Sequence, residues 1–152
     1  MKKYIGQNIR TWQWITSDNV LYDKKANETY LIPNLFSKDE LPLNKKALSS
    51  YRVYPKSIGW AVSKDVNGET IYAGDTVEID YYNKNEATFN GRNTVRAIVC
   101  YDKNLKIHYM LSGKRIFMFN GDSNHFISSI KRIGRNENTD FITEKEVPHD
   151  TL

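Results

Sequence analysis

The chain reads as a mainly β protein, with an N-terminal β-hairpin region packed on a C-terminal small barrel and few or short helices. Three observations predict this. The 152 residues include 10 Tyr, 6 Phe and 3 Trp beside frequent Val, Ile and Thr, side chains that suit pleated strands better than helices. Apolar and polar residues alternate over short runs, and turn residues punctuate those runs every ~8–12 positions. Hydrophobic residues at 39% and charged residues at 26% supply enough apolar surface for a core and depart from a disordered composition.

Taken in order, Asn8 to Ile15 (NIRTWQWI) reads as a strand with Trp12 and Trp14 on one face and Thr11 and Gln13 on the other. TSDN turns the chain and VLYD returns it, so residues 8 to 23 predict a hairpin. Tyr30 to Pro33 adds a further strand. Ser37 to Glu40 has the spacing of a capping box, but Pro42 limits any helix there to a short turn. The polar, Lys-rich stretch from Phe36 to Ser50 reads as an insertion or mobile loop. The expected organisation is an N-terminal region over 1–60, a barrel over 61–136 and a flexible acidic tail over 137–152.

Tyr51 to Val62 is strand-like around Pro55, and in the barrel region Asn67-Gly68 signals a two-residue turn in which both positions tolerate positive φ. From Thr76 to Asp80, Val77 and Ile79 point one way and Thr76, Glu78 and Asp80 the other, the pattern of a half-buried antiparallel strand. A polar excursion precedes a central strand, Val95 to Tyr101, and Leu105 to Leu111 runs back after a turn. Ser112-Gly113-Lys114 and Asn120-Gly121-Asp122 bracket RIFMF, and Phe126 to Ile133 closes the barrel with Phe126 out of phase with Ile127.

Catalytic motifs are missing. Asp75, Glu78 and Asp80 are the obvious carboxylates, but acid–base work needs two carboxyls converging on one point. Glu78 and Asp80 share the face opposite Val77 and Ile79, and Asp75 after Gly74 reads as a turn residue bonding its own backbone. His108, His125 and His149 are too far apart in sequence to give a zinc pairing. No nucleophile elbow and no phosphate-binding glycine loop occurs. The reading is therefore non-enzymatic, without metal or cofactor. Cys100, the lone cysteine, sits in the apolar run AIVCYD as a buried thiol. Asn27-Glu28-Thr29 matches a glycosylation sequon without a secretory signal before it. Met1 to Ile5 lacks the apolar core of a signal peptide, and no run approaches the roughly 20 apolar residues of a membrane span. A cytoplasmic protein without membrane contact is expected.

The net charge of +4 is unevenly spread: residues 95–136 carry eight basic and two acidic groups, residues 137–152 one and five. Arg92, Arg96, Lys114, Arg115, Lys131, Arg132 and Arg135, interleaved with Phe117, Phe119 and Phe126, are the candidates for a nucleic-acid face. The plainer alternative makes those phenylalanines core and those cations a solvated rim. Trp12 and Trp14 read as core or subunit contact rather than a ligand platform.

The segment KDVNGETIYAGDTVEI (Lys64 to Ile79) resembles the hallmark of YopX-like proteins, with Lys64, Asp65, Asn67, Gly68, Ile71, Tyr72, Gly74, Asp75, Val77 and Ile79 on its pattern. IRTWQW resembles that family's opening strand, VRAIVCYDKNLKIHYM its central strand pair and ISSIKRIGRNENTDF its closing segment. KSIGWAVSKD stands where the family has another lead-in, and Arg135 where Asn is common. The resemblance implies a small phage- or prophage-encoded protein of the bacterial cell with a C-terminal SH3-like barrel and no assigned activity. Homo-oligomerisation, which covers β edges, and contact with a host or phage protein are the partners it suggests.

Overall fold

The computed structural model of the chain describes residues 2–33, 45–84, 91–135 and 150–151. The protein is mainly β, with thirteen strands and one short α-helix among the described residues. It divides into two compact units, one of residues 1–61 and 143–152, the other of 62–142.

In the first unit, β1 (Tyr4–Gln7) pairs antiparallel with β2 (Trp14–Ser17), and Tyr4 and Ile5 pair on the other side with Trp60 and Gly59 at the start of β6 (Gly59–Lys64). A second sheet contains β3 (Asn19–Asp23), β4 (Glu28–Ile32) and β5 (Arg52–Val53), with β13 (Asp150–Thr151) parallel to β3. β13 thus lies in the stretch expected to be a flexible tail. The strand β4 is buried on both faces, so it reads as an apolar run without alternation. Leu31 joins Tyr4, Val20, Val53 and Ile58 on one side, while Tyr30 and Ile32 join Leu21 and Leu48 on the other. Leu48 comes from α1 (Lys45–Leu48), inside the polar stretch read as an insertion. Gly6 lets β1 approach closely, since a Cβ there would stand 2.9 Å from Leu31 Cδ1.

The hairpin expected over residues 8–23 does not form. Asn8 makes only an isolated bridge to Val53, residues 9–11 turn, and Trp12 has φ 63. The cause is the Asn8 side chain, whose Oδ1 accepts from the backbone N–H groups of Arg10 (2.9 Å) and Thr11 (3.1 Å) and so draws the chain out of the extended state. Trp12 is consequently 63% exposed rather than core. Two other hairpins replace the expected one, β1 with β2 and β3 with β4. The capping-box residues Ser37 to Glu40 and Pro42 lie outside the described residues.

In the second unit, the end of β6 and β7 (Thr70–Tyr72) form a hairpin. Its tip is a three-residue loop rather than the expected two-residue one. The Gly68 N–H donates to the Asp65 carbonyl (3.0 Å), the Asp65 N–H to that of Glu69 (2.8 Å), and only Gly68 has positive φ. A five-stranded sheet then curls into a half-barrel in the order β11 (Arg115–Phe117), β10 (Ile107–Ser112), β9 (Asn93–Asp102), β8 (Asp75–Asn83), β12 (His125–Arg135). Its concave face is filled by Ile71, Val77, Ile79, Tyr81, Ala97, Val99, Met110 and Phe117. Burial alternates strictly from Asp75 to Tyr81, and that alternation places Asp75 inside with Val77 and Ile79.

Candidate functional site

The segment from Lys64 to Ile79 contributes to two features of the second unit: an ion cluster around the buried Asp75 and the wall of an open groove. At the β7–β8 turn, Gly74 adopts φ 96 and its N–H donates to the Val99 carbonyl (2.8 Å). This geometry, open to glycine and costly for other residues, aims Asp75 into the sheet. Asp75 Oδ2 accepts from the Tyr72 N–H (2.8 Å), the backbone bond expected of a turn residue. The same oxygen accepts from Arg132 Nε (2.7 Å), and Oδ1 accepts from Arg135 Nη1 (3.0 Å), which also donates to the Ala73 carbonyl (2.8 Å). The side chains of Asp75 and Arg135 have no exposed surface. Burial opposes the Arg132 charge, yet its bond to Asp75 leaves that guanidinium's pKa raised. Burial dominates at the deeper Arg135, whose pKa is lowered although Asp75 opposes the shift.

One of two β-bulges in β12 makes this cluster. The register of β12 on β8 shifts between Ile127 and Ser129 and again between Arg132 and Gly134. Residues three apart in a regular strand face opposite sides. The extra residue Ile133 restores the phase, so Arg132 stands opposite Val77 and Arg135 opposite Asp75, both on the inner face. The first bulge does the same for Ile127 and Ile130, which pack on the core.

The arrangement corrects part of the nucleic-acid expectation. Arg135 has no surface to offer a phosphate, and Arg132 is directed to Asp75. On the outer face, Arg96 and Lys131 stand in register on either side of Glu78, and Arg92 pairs with Asp80 (3.4 Å). Asp80 also accepts from Thr94 Oγ1 (2.7 Å). Arg115 donates to the Tyr81 hydroxyl (2.8 Å) and lies over the Tyr81 and Phe117 rings. Lys114 is exposed in the β10–β11 turn. Phe117 is core, Phe119 packs against it, and Phe126 is exposed beside Tyr82. Opposed by carboxylates across the ladder, the outer face is a mixed surface rather than a basic one.

Asp65 fixes the other feature. Its Oδ1 accepts from the Asn67 and Glu69 N–H groups (2.9 and 2.8 Å), and its Oδ2 from the Arg132 N–H (2.8 Å). Burial pushes the carboxyl pKa up, but these backbone bonds outweigh it and the net shift is downward. The Val66 N–H donates to the Ile130 carbonyl (2.9 Å), so the hairpin tip is tied to β12 at both Asp65 and Val66. Beside it opens a groove of about 820 Å³, walled by Val62, Val66, Ile107, Phe119, Ile127 and Ile130. Lys64, Lys106 and His108 also line the groove. Burial lowers the His108 pKa from its ordinary value. Val66 is 63% exposed and Ile107 37%. The sequence reading found the hairpin but missed this groove, because its walls come from four separated segments.

Elsewhere, Cys100 is buried and burial raises its pKa. His125 Nδ1 lies 3.0 Å from Asp122 Oδ1. Among the described residues no group of three or more His, Cys, Asp or Glu could hold a metal ion, and no helix is long and apolar enough to cross a membrane. The chain matches no family model, no curated protein and no solved structure.

Proposed function

We propose that the protein is a non-enzymatic accessory protein of the YopX-like, phage-encoded type, acting in the bacterial cytoplasm through protein contacts with a second copy or a host factor. The resemblance of the hallmark segment supports the phage context. The observation that carries the contact reading is the groove of the second unit, where Val66, on the hairpin tip that Asp65 ties down, and Ile107, at the start of β10, are apolar and exposed. A preorganised apolar rim loses little freedom on binding, and that favours affinity. Asp75, one of the carboxylates weighed for chemistry and read as a turn residue, accepts from two arginines and a backbone N–H, which supports a structural role. The test pairs light scattering with affinity capture from a bacterial host, comparing the parent protein with Val66→Asp/Ile107→Asp. Self-association or a captured protein that the double variant loses supports the groove. An unchanged mass and an unchanged set of captured proteins would overturn it.

A further inference from the structure

The first unit carries an exposed aromatic pair that the protein-contact reading does not use. Trp12 and Tyr54 are 63% and 39% exposed, with ring centroids 6.2 Å apart and planes at 74°. Trp12 adopts φ 63, in the left-handed region that a bulky side chain disfavours. Nothing is left loose about this strained residue. Its N–H donates to the Asn8 carbonyl (2.9 Å), its carbonyl accepts from Gln7 Nε2 (3.1 Å), and the Asn8 N–H donates to the Gln13 carbonyl (2.8 Å). Asn8 is buried, and its Nδ2 donates to the Ser50 carbonyl (2.7 Å), which fastens the loop to the segment that carries Tyr54. The Tyr54 N–H in turn donates to the Gln7 carbonyl (3.0 Å). A built loop that holds a tryptophan outward against its backbone preference is the kind of outlier that points to a contact.

Charge identifies that contact. Residues 2–17 and 45–61 hold Lys2, Lys3, Arg10, Lys45, Lys46, Arg52 and Lys56 and no carboxylate. Lys2 and Arg52 meet Asp18 and Glu28. Arg10 reaches Ser49 Oγ (3.5 Å), next to the short helix with Lys46, and Lys56 follows Tyr54 by two residues. Arg10, Lys46 and Lys56 are all exposed. An exposed indole on segments that also carry exposed cations suits a ligand that is both planar and anionic.

We propose that Trp12 and Tyr54 form a stacking site for single-stranded nucleic acid, with a base on Trp12 and phosphates on Arg10, Lys46 and Lys56. This inference is independent of the groove, and it places nucleic acid on a different unit from the seven cations singled out in the sequence. An unpaired base presents a π-face to the indole whatever its identity, and a duplex does not.

All three tryptophans lie in the first unit, so stacking on Trp12 is read as quenching of the protein's emission. The probe is an oligothymidylate of about 12 nucleotides, titrated beside a duplex of matched length at about 50 and 200 mM salt. Quenching by the single strand is expected, with affinity falling about 20-fold between the two salts for three phosphate contacts. Arg10→Ala/Lys56→Ala should weaken binding and flatten the salt response. Trp12→Gly suits the positive φ of this position and, with its fold checked by circular dichroism, should bind about tenfold more weakly in a label-based assay. The absence of quenching at low salt overturns the proposal. So does a Trp12→Gly variant that binds like the parent, or a duplex that binds as tightly as the single strand. An acidic peptide that competes in place of the oligonucleotide would assign the platform to a protein partner and overturn it too.

Discussion

Each unit contains a buried polar side chain that shapes its surroundings, Asp75 in the second and Asn8 in the first, and the two differ in charge. Asp75 in the second unit is an anion that draws two arginines inward. Asn8 in the first unit is a neutral amide that draws backbone groups inward and turns an aromatic outward. Asp75 is answered by charge, so its surroundings give up two cations that sequence composition counts as surface. A buried amide is answered by N–H and C=O groups that every residue has, so the cations around Asn8 stay on the surface. The same need to satisfy a buried polar group thus draws two arginines inward in one region and only backbone groups in the other.

The comparison breaks most visibly at Asp75. Asp75→Ala leaves Arg132 and Arg135 facing each other across a buried space, and a loss of about 3–5 kcal/mol in unfolding free energy is expected. Urea titration measures it. Adding Arg135→Met to the Asp75→Ala protein removes the uncompensated charge and should recover part of the loss. If the double variant is no more stable than the single one, the cluster is not held by charge pairing.

Asn8→Ala should cost less, about 1–3 kcal/mol, because the groups it strands are uncharged. It leaves the Ser50 carbonyl and the Arg10 and Thr11 N–H groups without their partner. Urea titration gives the size, and the Trp12 environment follows by near-UV circular dichroism. A loss as large as that of Asp75→Ala would remove the distinction between neutral and charged anchors.

How much of this was legible in the sequence follows from what each pattern records. The strands of the half-barrel were readable because Val77, Ile79 and Tyr81 alternate with polar residues on one buried face. Extending that alternation one step back to Asp75 would have found its burial. Its partners were hidden, since Arg132 and Arg135 are three apart and only the bulge at Ile133 brings them to one side. Residues 8 to 15 failed for the opposite reason. Their alternation is that of a strand, but the Asn8 side chain competes with the ladder, and a hydrogen bond to a backbone leaves no periodic trace. The strand β4 shows no alternation because sheet and helix cover its two faces.

The smallest expected effects come with pH, and they separate the two units by direction. In the second unit the Asp65 carboxyl has a folded-state pKa below the ordinary 3.8, as burial is outweighed by the N–H groups of Arg132, Glu69 and Asn67. Its stabilisation is complete above about 3.8 and is lost as pH falls through the lower folded value. In the first unit burial, reinforced by the hydrogen bond to Glu28, raises Tyr30 from 10.0 to about 12. The stabilisation tied to its protonated hydroxyl is complete below 10.0 and is lost as pH rises toward about 12. Asp65→Asn should therefore flatten the acid limb of a stability–pH curve and leave the alkaline limb alone. Tyr30→Phe should flatten the alkaline limb, which tryptophan emission follows because every tryptophan belongs to that unit. Each variant is a control for the other. If Asp65→Asn keeps the parent's acid slope, the three backbone bonds do not hold the carboxylate, and the hairpin tip that presents Val66 loses its anchor in the argument for the groove.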